Sequence, residues 1–239
     1  MHFRRSISKA SSTLARSITK RLSITITLLR SIVLLPVLLG FALLLGSCQS
    51  APYTKADDAA VDMGGANASL TKLRAAARDT LACFEPILTP DADLKAQFKS
   101  LKASIDRYQS AIQGVRSSIA SVEKSTNTYI ATYVKVREQV KSSDLRAAML
   151  MRKESIESQV HDMNLQFATL LAASETLSGQ LADLNLFLSA SLNAQAVSQS
   201  AIMGDAIRGA VANLEASADR VSLELKDLAA SLASERPNN

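Results

Sequence analysis

The 239-residue chain has no tryptophan, six phenylalanines and four tyrosines, so aromatic side chains contribute 4% of it. It has two histidines, His2 and His161, and two cysteines, Cys48 and Cys83. So few imidazoles and thiols leave no clustered ligand set for a zinc or iron centre. No serine or cysteine sits in a local signature that would pair it with a histidine for nucleophilic catalysis. No segment sustains the period-two alternation of β-branched residues that marks a strand. Gly64-Gly65 lacks the spacing of a phosphate-binding loop. Acidic residues are also missing from one region: all 22 Asp and Glu follow Cys48, whereas seven of the 27 Lys and Arg precede it.

The uneven charge describes an export segment. Arg4, Arg5, Lys9, Arg16, Lys20, Arg21 and Arg30 lie in the first 30 residues, and residues 32–45 follow without a charge. A basic region and then a short apolar core is the order of a signal peptide. The 14-residue run is shorter than the roughly 17 to 25 residues of a spanning helix. Leu45-Gly46-Ser47-Cys48 resembles the lipobox of bacterial lipoproteins, in which small residues let the peptidase approach the backbone and the cysteine becomes the acylated first residue. The resemblance implies that 1–47 is a lipoprotein signal peptide and that membrane lipid is a partner through acylated Cys48. Two or three acyl chains supply the double signal that stable anchoring requires. Gln49, where enteric bacteria retain lipoproteins at the inner membrane with aspartate, points to the periplasmic face of an outer membrane. The competing reading is an uncleaved single span with an extracytoplasmic domain.

Cleavage reverses the charge argument. The whole chain carries a formal +5, but after Cys48 twenty Lys and Arg face 22 Asp and Glu, a formal −2. No basic cluster interleaved with aromatics remains, so nucleic acid is not an expected partner. With Cys48 acylated, Cys83 has no internal disulfide partner.

Past the cysteine, helical periodicity dominates. The stretch 48–67 is small and polar and reads as the acylated cysteine with a flexible tether, allowing a reach of about 25 Å. A first, shorter helix is predicted over 69–88 from Leu70, Leu73, Ala77, Leu81, Phe84 and Leu88, stopped by Pro86 and Pro90. Asp91 or Asp93 can cap the next helix. There the apolar positions step by four and three from Leu94 to Val140 through Leu101, Tyr108, Val115, Val122 and Tyr129. Such alternation is a heptad seam, and it predicts a helix about 70 Å long. A break at 141–144 precedes a second stripe from Met149 through Ile156, Met163, Leu170, Leu177 and Leu184 to Leu188. A further slip at 191–194 precedes a third, from Ile207 to Leu232. Small residues beside the seam, Ala111, Ser118 and Ser125, allow close helix approach. The predicted fold is all-α over 68–236: an elongated antiparallel helical bundle with coiled-coil-like heptad seams, three long helices plus a shorter N-terminal one. Dimerisation through the same seams is the alternative.

Chemistry is sparse along these helices. His161 flanks a seam position, and Glu154 with Glu157 or the adjacent Asp57-Asp58 have no histidine at the spacing of a di-iron site. Tyr108, Tyr129 and Tyr133 fall on seam positions, as core residues or as the lining of a pocket. Thr126, Lys153 and Ser174 interrupt the seams and are expected to fix register. Cys48-Gln49-Ser50-Ala51-Pro52-Tyr53, Asp144-Leu145-Arg146, Leu186-Phe187-Leu188 and Leu192-Asn193-Ala194-Gln195-Ala196 together resemble the bacterial envelope proteins grouped as domain of unknown function 2959, over residues 48–233. That resemblance implies export and a helical bundle and brings no activity, cofactor or functional residue. The expectation is therefore a non-enzymatic envelope lipoprotein with a structural or protein-interaction role, partnered through its seams by another protein or a second copy. A ligand-binding or regulatory helical module is the second reading.

Overall fold

The computed structural model describes residues 51–89 and 93–233, and among these every element is helical. Helix α1 spans Ala51–Phe84, α2 Leu94–Gln139, α3 Ser143–Ala190 and α4 Ala194–Ala233, and a short 3-10 turn, Glu85–Leu88, ends α1. The predicted signal peptide 1–47, the predicted lipobox residues Leu45, Gly46 and Ser47, and Cys48 itself lie outside the described residues, as do Asp91 and the end of the chain from residue 234.

Local chemistry sets each boundary. Pro86 sits in the first positions of the 3-10 turn, where its missing N–H costs nothing, and the Thr89 amide closes that turn on the Pro86 carbonyl at 3.1 Å. Of the two candidate caps, Asp93 is the one described in place, its Oδ1 accepting from the Ala96 amide at 3.1 Å. Ser142 caps α3, accepting from the Leu145 amide, and the Asn193 side chain does the same for Ala196 at the start of α4 at 2.9 Å. These polar caps satisfy amides that have no carbonyl one turn back. Val140 and Ser191 turn extended and end α2 and α3, so the connections between helices are three residues long.

Each helix packs on the one before it, and α4 returns to α1, closing a ring; the diagonal pairs make no close approach among the described residues. Cross-helix contacts give the directions. Asn67 meets Ser222, Arg74 meets Asp219 and Arg78 meets Glu215, so numbers rise along α1 as they fall along α4. Ser69 meets Ser118 on α2 at 2.8 Å, and the two short turns reverse α2 into α3 and α3 into α4. The N-terminal end of α1 is thus at the same end of the helical bundle as the α2–α3 turn.

Burial on the long helices falls mainly on positions three and four residues apart. On α2 the buried residues, Ser104 apart, run Leu101, Ile105, Tyr108, Ile112, Val115, Ile119, Val122, Thr126 and Tyr129 in alternating steps of four and three. On α3 they run from Ile156 to Leu188, and on α4 from Ala196 to Leu232. Two features differ from expectation. The α2 stripe is legible to Val140, but no side chain between Tyr129 and Ile156 is buried, so the α2–α3 hairpin outlasts the core.

The tether reading of 48–67 also fails over its described part. Residues 51–67 form the first half of α1, and Ala56, Ala59, Met63 and Ala66 are buried in an unbroken three-four series with Leu70, Leu73, Ala77, Thr80 and Phe84. The reason is the size of alanine. A methyl group adds little to a hydrophobic stripe, yet it loses no side-chain entropy in a helix and lets the neighbouring backbone come close. The first helix is consequently 34 residues long rather than 20, still the shortest of the four but a full member of the ring.

Candidate functional site

The three tyrosines are core residues. Tyr108 and Tyr129 are fully buried, and the Tyr108 hydroxyl donates to the Ser174 carbonyl on α3 at 3.1 Å. Burial holds the Tyr108 phenol well above its ordinary pKa, and the Ser174 side chain lowers it by less than burial raises it. Tyr133 is half-buried and packs on Tyr129 with ring centroids 5.9 Å apart and planes tilted by 39°. These rings pack within the seam they occupy.

The hydroxyls within the seams are satisfied locally. Thr126 donates to the Val122 carbonyl at 2.7 Å, Ser174 to Leu170 at 2.9 Å, Thr80 to Ala76 at 2.8 Å and Ser200 to Ala196 at 2.9 Å. A hydroxyl returned to its own helix costs little to bury and coordinates nothing. The expected register contact therefore comes at this level from the Tyr108 hydroxyl, which crosses to the backbone of the next helix. Lys153 is half-buried and pairs with Glu157 at 2.6 Å, one turn along its own helix.

The remaining chemistry-bearing residues stay apart. His161 and Glu154 are exposed, and Asp58 is engaged by Lys55 at 2.8 Å. Among the described residues no group of three or more His, Cys, Asp or Glu converges as a metal site would require. Cys83 carries a free thiol, half-buried against the core beside Phe84. Two open grooves follow the α1–α2 contact. One, of about 520 Å³, runs between Lys55, Asp58 and Asp62 on one side and Ser121, Lys124 and Thr128 on the other. The second, of about 410 Å³, lies between Lys72 and Arg107. Both are open to solvent rather than enclosed, and charged and hydroxyl side chains stand along them.

Ion pairs close the ring on its outer face. Arg74 with Asp219 and Arg78 with Glu215 join α1 to α4, and Arg116 reaches Glu175 across α2 and α3 at 2.7 Å. The Glu215 hydrogen bond and charge push the Arg78 pKa up. Exposed pairs of this kind contribute little to stability and are screened by salt. Their value is in matching helices: each opposes a basic residue of one helix to an acidic residue of its neighbour.

Sequence reasoning missed one region, the end of the α2–α3 hairpin. Its apolar residues, Val134, Val136, Val140, Leu145, Leu150 and Met151, are half-exposed or exposed. The signal is present as a stripe that continues past the point where partners for it run out.

The family described as protein of unknown function (DUF2959) matches residues 47–232, from just before Cys48 to the last turns of α4, and the chain belongs to that family. No curated protein and no solved structure matches the chain.

Proposed function

Starting from that membership, we propose that the chain is an exported lipoprotein of the bacterial cell envelope, held to the membrane by acylated Cys48. Its bundle acts as a structural or protein-interaction element and not as a catalyst. The observation that carries the reading is an order of features: seven basic residues, an uncharged run over 32–45, Leu45-Gly46-Ser47-Cys48, and a helix that begins at Ala51. Lipoprotein peptidases need the small residues and the thiol in that place, and the folded part starts within three residues of it.

In this reading the molecule is an elongated antiparallel bundle whose heptad-spaced seams are consumed within one chain. At about 1.5 Å per residue the four helices measure on the order of 50 to 70 Å. That length suits a spacer or a docking rod. Three observations favour it over a ligand-binding module: the seam tyrosines are packed, the buried hydroxyls are satisfied, and the grooves are open to solvent. A protein partner then meets exposed side chains, since the seam residues are occupied. Gln49 favours the periplasmic face of an outer membrane in a Gram-negative cell. No helix among the described residues is long and apolar enough to cross a membrane, so attachment is assigned to the chain before Ala51.

The test is Cys48→Ala in cells fed a labelled fatty acid. The parent chain is expected to take up label and to lengthen when lipoprotein signal peptidase is inhibited; the variant is expected to do neither. Equal processing and membrane retention of the variant would support the uncleaved span instead. Crosslinking in intact cells with identification of the captured protein addresses the partner.

A further inference from the structure

The bundle has two unlike ends. At one end the helices stop together with the core: Ile87, Leu101, Leu188 and Ala196 are all buried close to the 85–93 and 191–193 connections. At the other, the α2–α3 hairpin continues after Tyr129 and before Ile156 with no buried side chain. Ten residues of α2 follow Tyr129, a projection of about 15 Å past the last buried ring at the helical rise, with the start of α1 beside part of it.

This projection exposes large apolar side chains that no part of the core uses. Leu145 is 60% exposed, Leu150 40% and Met151 71%, all in the first three turns of α3. They are distributed around the helix and do not form one stripe, which suits immersion of a tip better than docking of a single face onto another helix. The tip is also cationic. Between residues 134 and 151 there are four basic residues, Lys135, Arg137, Lys141 and Arg146, and two acidic ones, Glu138 and Asp144, in a chain whose sequence after Cys48 carries a formal −2. Lys135, Lys141 and Arg146 are exposed. Mixed apolar and basic side chains at one exposed end match an anionic bilayer surface, where aliphatic groups enter the interface and cations meet the lipid phosphates.

Chain geometry brings the same end to the membrane. The α2–α3 turn lies beside the start of α1, and three peptide steps of fully extended chain, about 10 Å, are the longest possible separation of Ala51 from Cys48.

We infer that the α2–α3 hairpin, through Leu145, Leu150 and Met151 with Lys135, Lys141 and Arg146, is a second membrane contact that inserts into an anionic lipid surface and stands the bundle upright on it. The inference rests on the membrane attachment proposed above and adds its orientation and lipid preference.

Because the chain has no tryptophan, one can be introduced as the sole reporter. Leu145→Trp places it at the hairpin, and Leu186→Trp, at another exposed leucine, near the opposite end. Full chain purified from membranes is reconstituted into vesicles of brominated phosphatidylcholine, with or without a third of brominated phosphatidylglycerol. The L145W emission is expected to shift to the blue and to be quenched by about twofold or more in the anionic vesicles, while L186W stays unquenched. Adding Lys141→Glu and Arg146→Glu to L145W is expected to remove the anionic preference. Absence of quenching in L145W, equal quenching at both ends, or quenching indifferent to lipid charge overturns the inference. The mass of Cys48 is read from the same preparation. Acylated chain without quenching refutes the second contact alone, and quenching of unacylated chain refutes the lipid anchor alone.

Discussion

Gly64 and Gly65 lie adjacent in the middle of α1, on its exposed side, and a Cβ built on either meets nothing within 4 Å. Glycine in a helix interior is about 1 kcal/mol less favourable than alanine, because it surrenders more backbone freedom. Replacing both by alanine removes that penalty twice and adds no clash, so the double variant should gain about 2 kcal/mol. For a domain of this size 1 kcal/mol moves the midpoint by roughly 2–4 °C, and Tm should rise by about 4–8 °C. The opposite perturbation is Ala60→Pro, one turn earlier in the same helix. It deletes an amide hydrogen bond and forces a ring against the preceding turn, at a cost of about 3 kcal/mol or more. Far-ultraviolet circular dichroism during heating reads both. If 51–67 were a flexible leash rather than the first half of a packed helix, neither change would alter the melting of the remainder. Unchanged Tm in both variants refutes the reasoning; opposite shifts uphold it.

Tyr108→Phe should cost only about 1 kcal/mol in urea titration, since the ring stays packed and the Ser174 carbonyl faces the loss of one donor. The same variant changes the alkaline limb. Burial holds the folded phenol above its ordinary value, so its contribution is complete below about pH 10 and is lost as pH climbs through the folded pKa. The parent should therefore lose stability above that pH more steeply than Tyr108→Phe; parallel curves would contradict the burial. At Gly204, a Cβ would lie 3.4 Å from Phe84 Cε1 and 3.5 Å from Arg208 Nη2, an ordinary contact. Gly204→Ala should be tolerated, whereas Gly204→Leu should destabilise by about 1–3 kcal/mol by driving Phe84 from its site, measurable in the same titration.

The fold was readable where side chains were large. From Leu101 to Tyr129 the sequence periodicity and the buried set coincide, because a 4-3 series of bulky residues has one stable use. Residues 51–67 follow the same arithmetic on alanine, and there composition hid the pattern: Ala56, Ala59 and Ala66 read as polar-neighboured small residues until a partner helix is placed against them. The hairpin end shows the converse. Val136, Val140 and Met149 continue the stripe in sequence, yet each is only half-buried. Periodicity reports which face of a helix is apolar, and the lengths of the neighbours decide how much of that face is buried. The site residues divide in the same way. Tyr108, Tyr129, Thr126 and Ser174 could be placed in the core from heptad position, while the apolar and basic tip depended on knowing where burial stops along α2 and α3.

The closing of the ring by α4 has a kinetic side. Chains are made N-terminus first, so α1 is complete long before the helix that carries Asp219, Glu215 and Ser222 exists. Until the final forty residues arrive, α1 can pair with α2 but lacks its second neighbour, leaving one flank of Leu70, Leu73 and Phe84 uncovered. A ribosome that releases the chain gradually therefore has three helices emerged before the one that completes the ring.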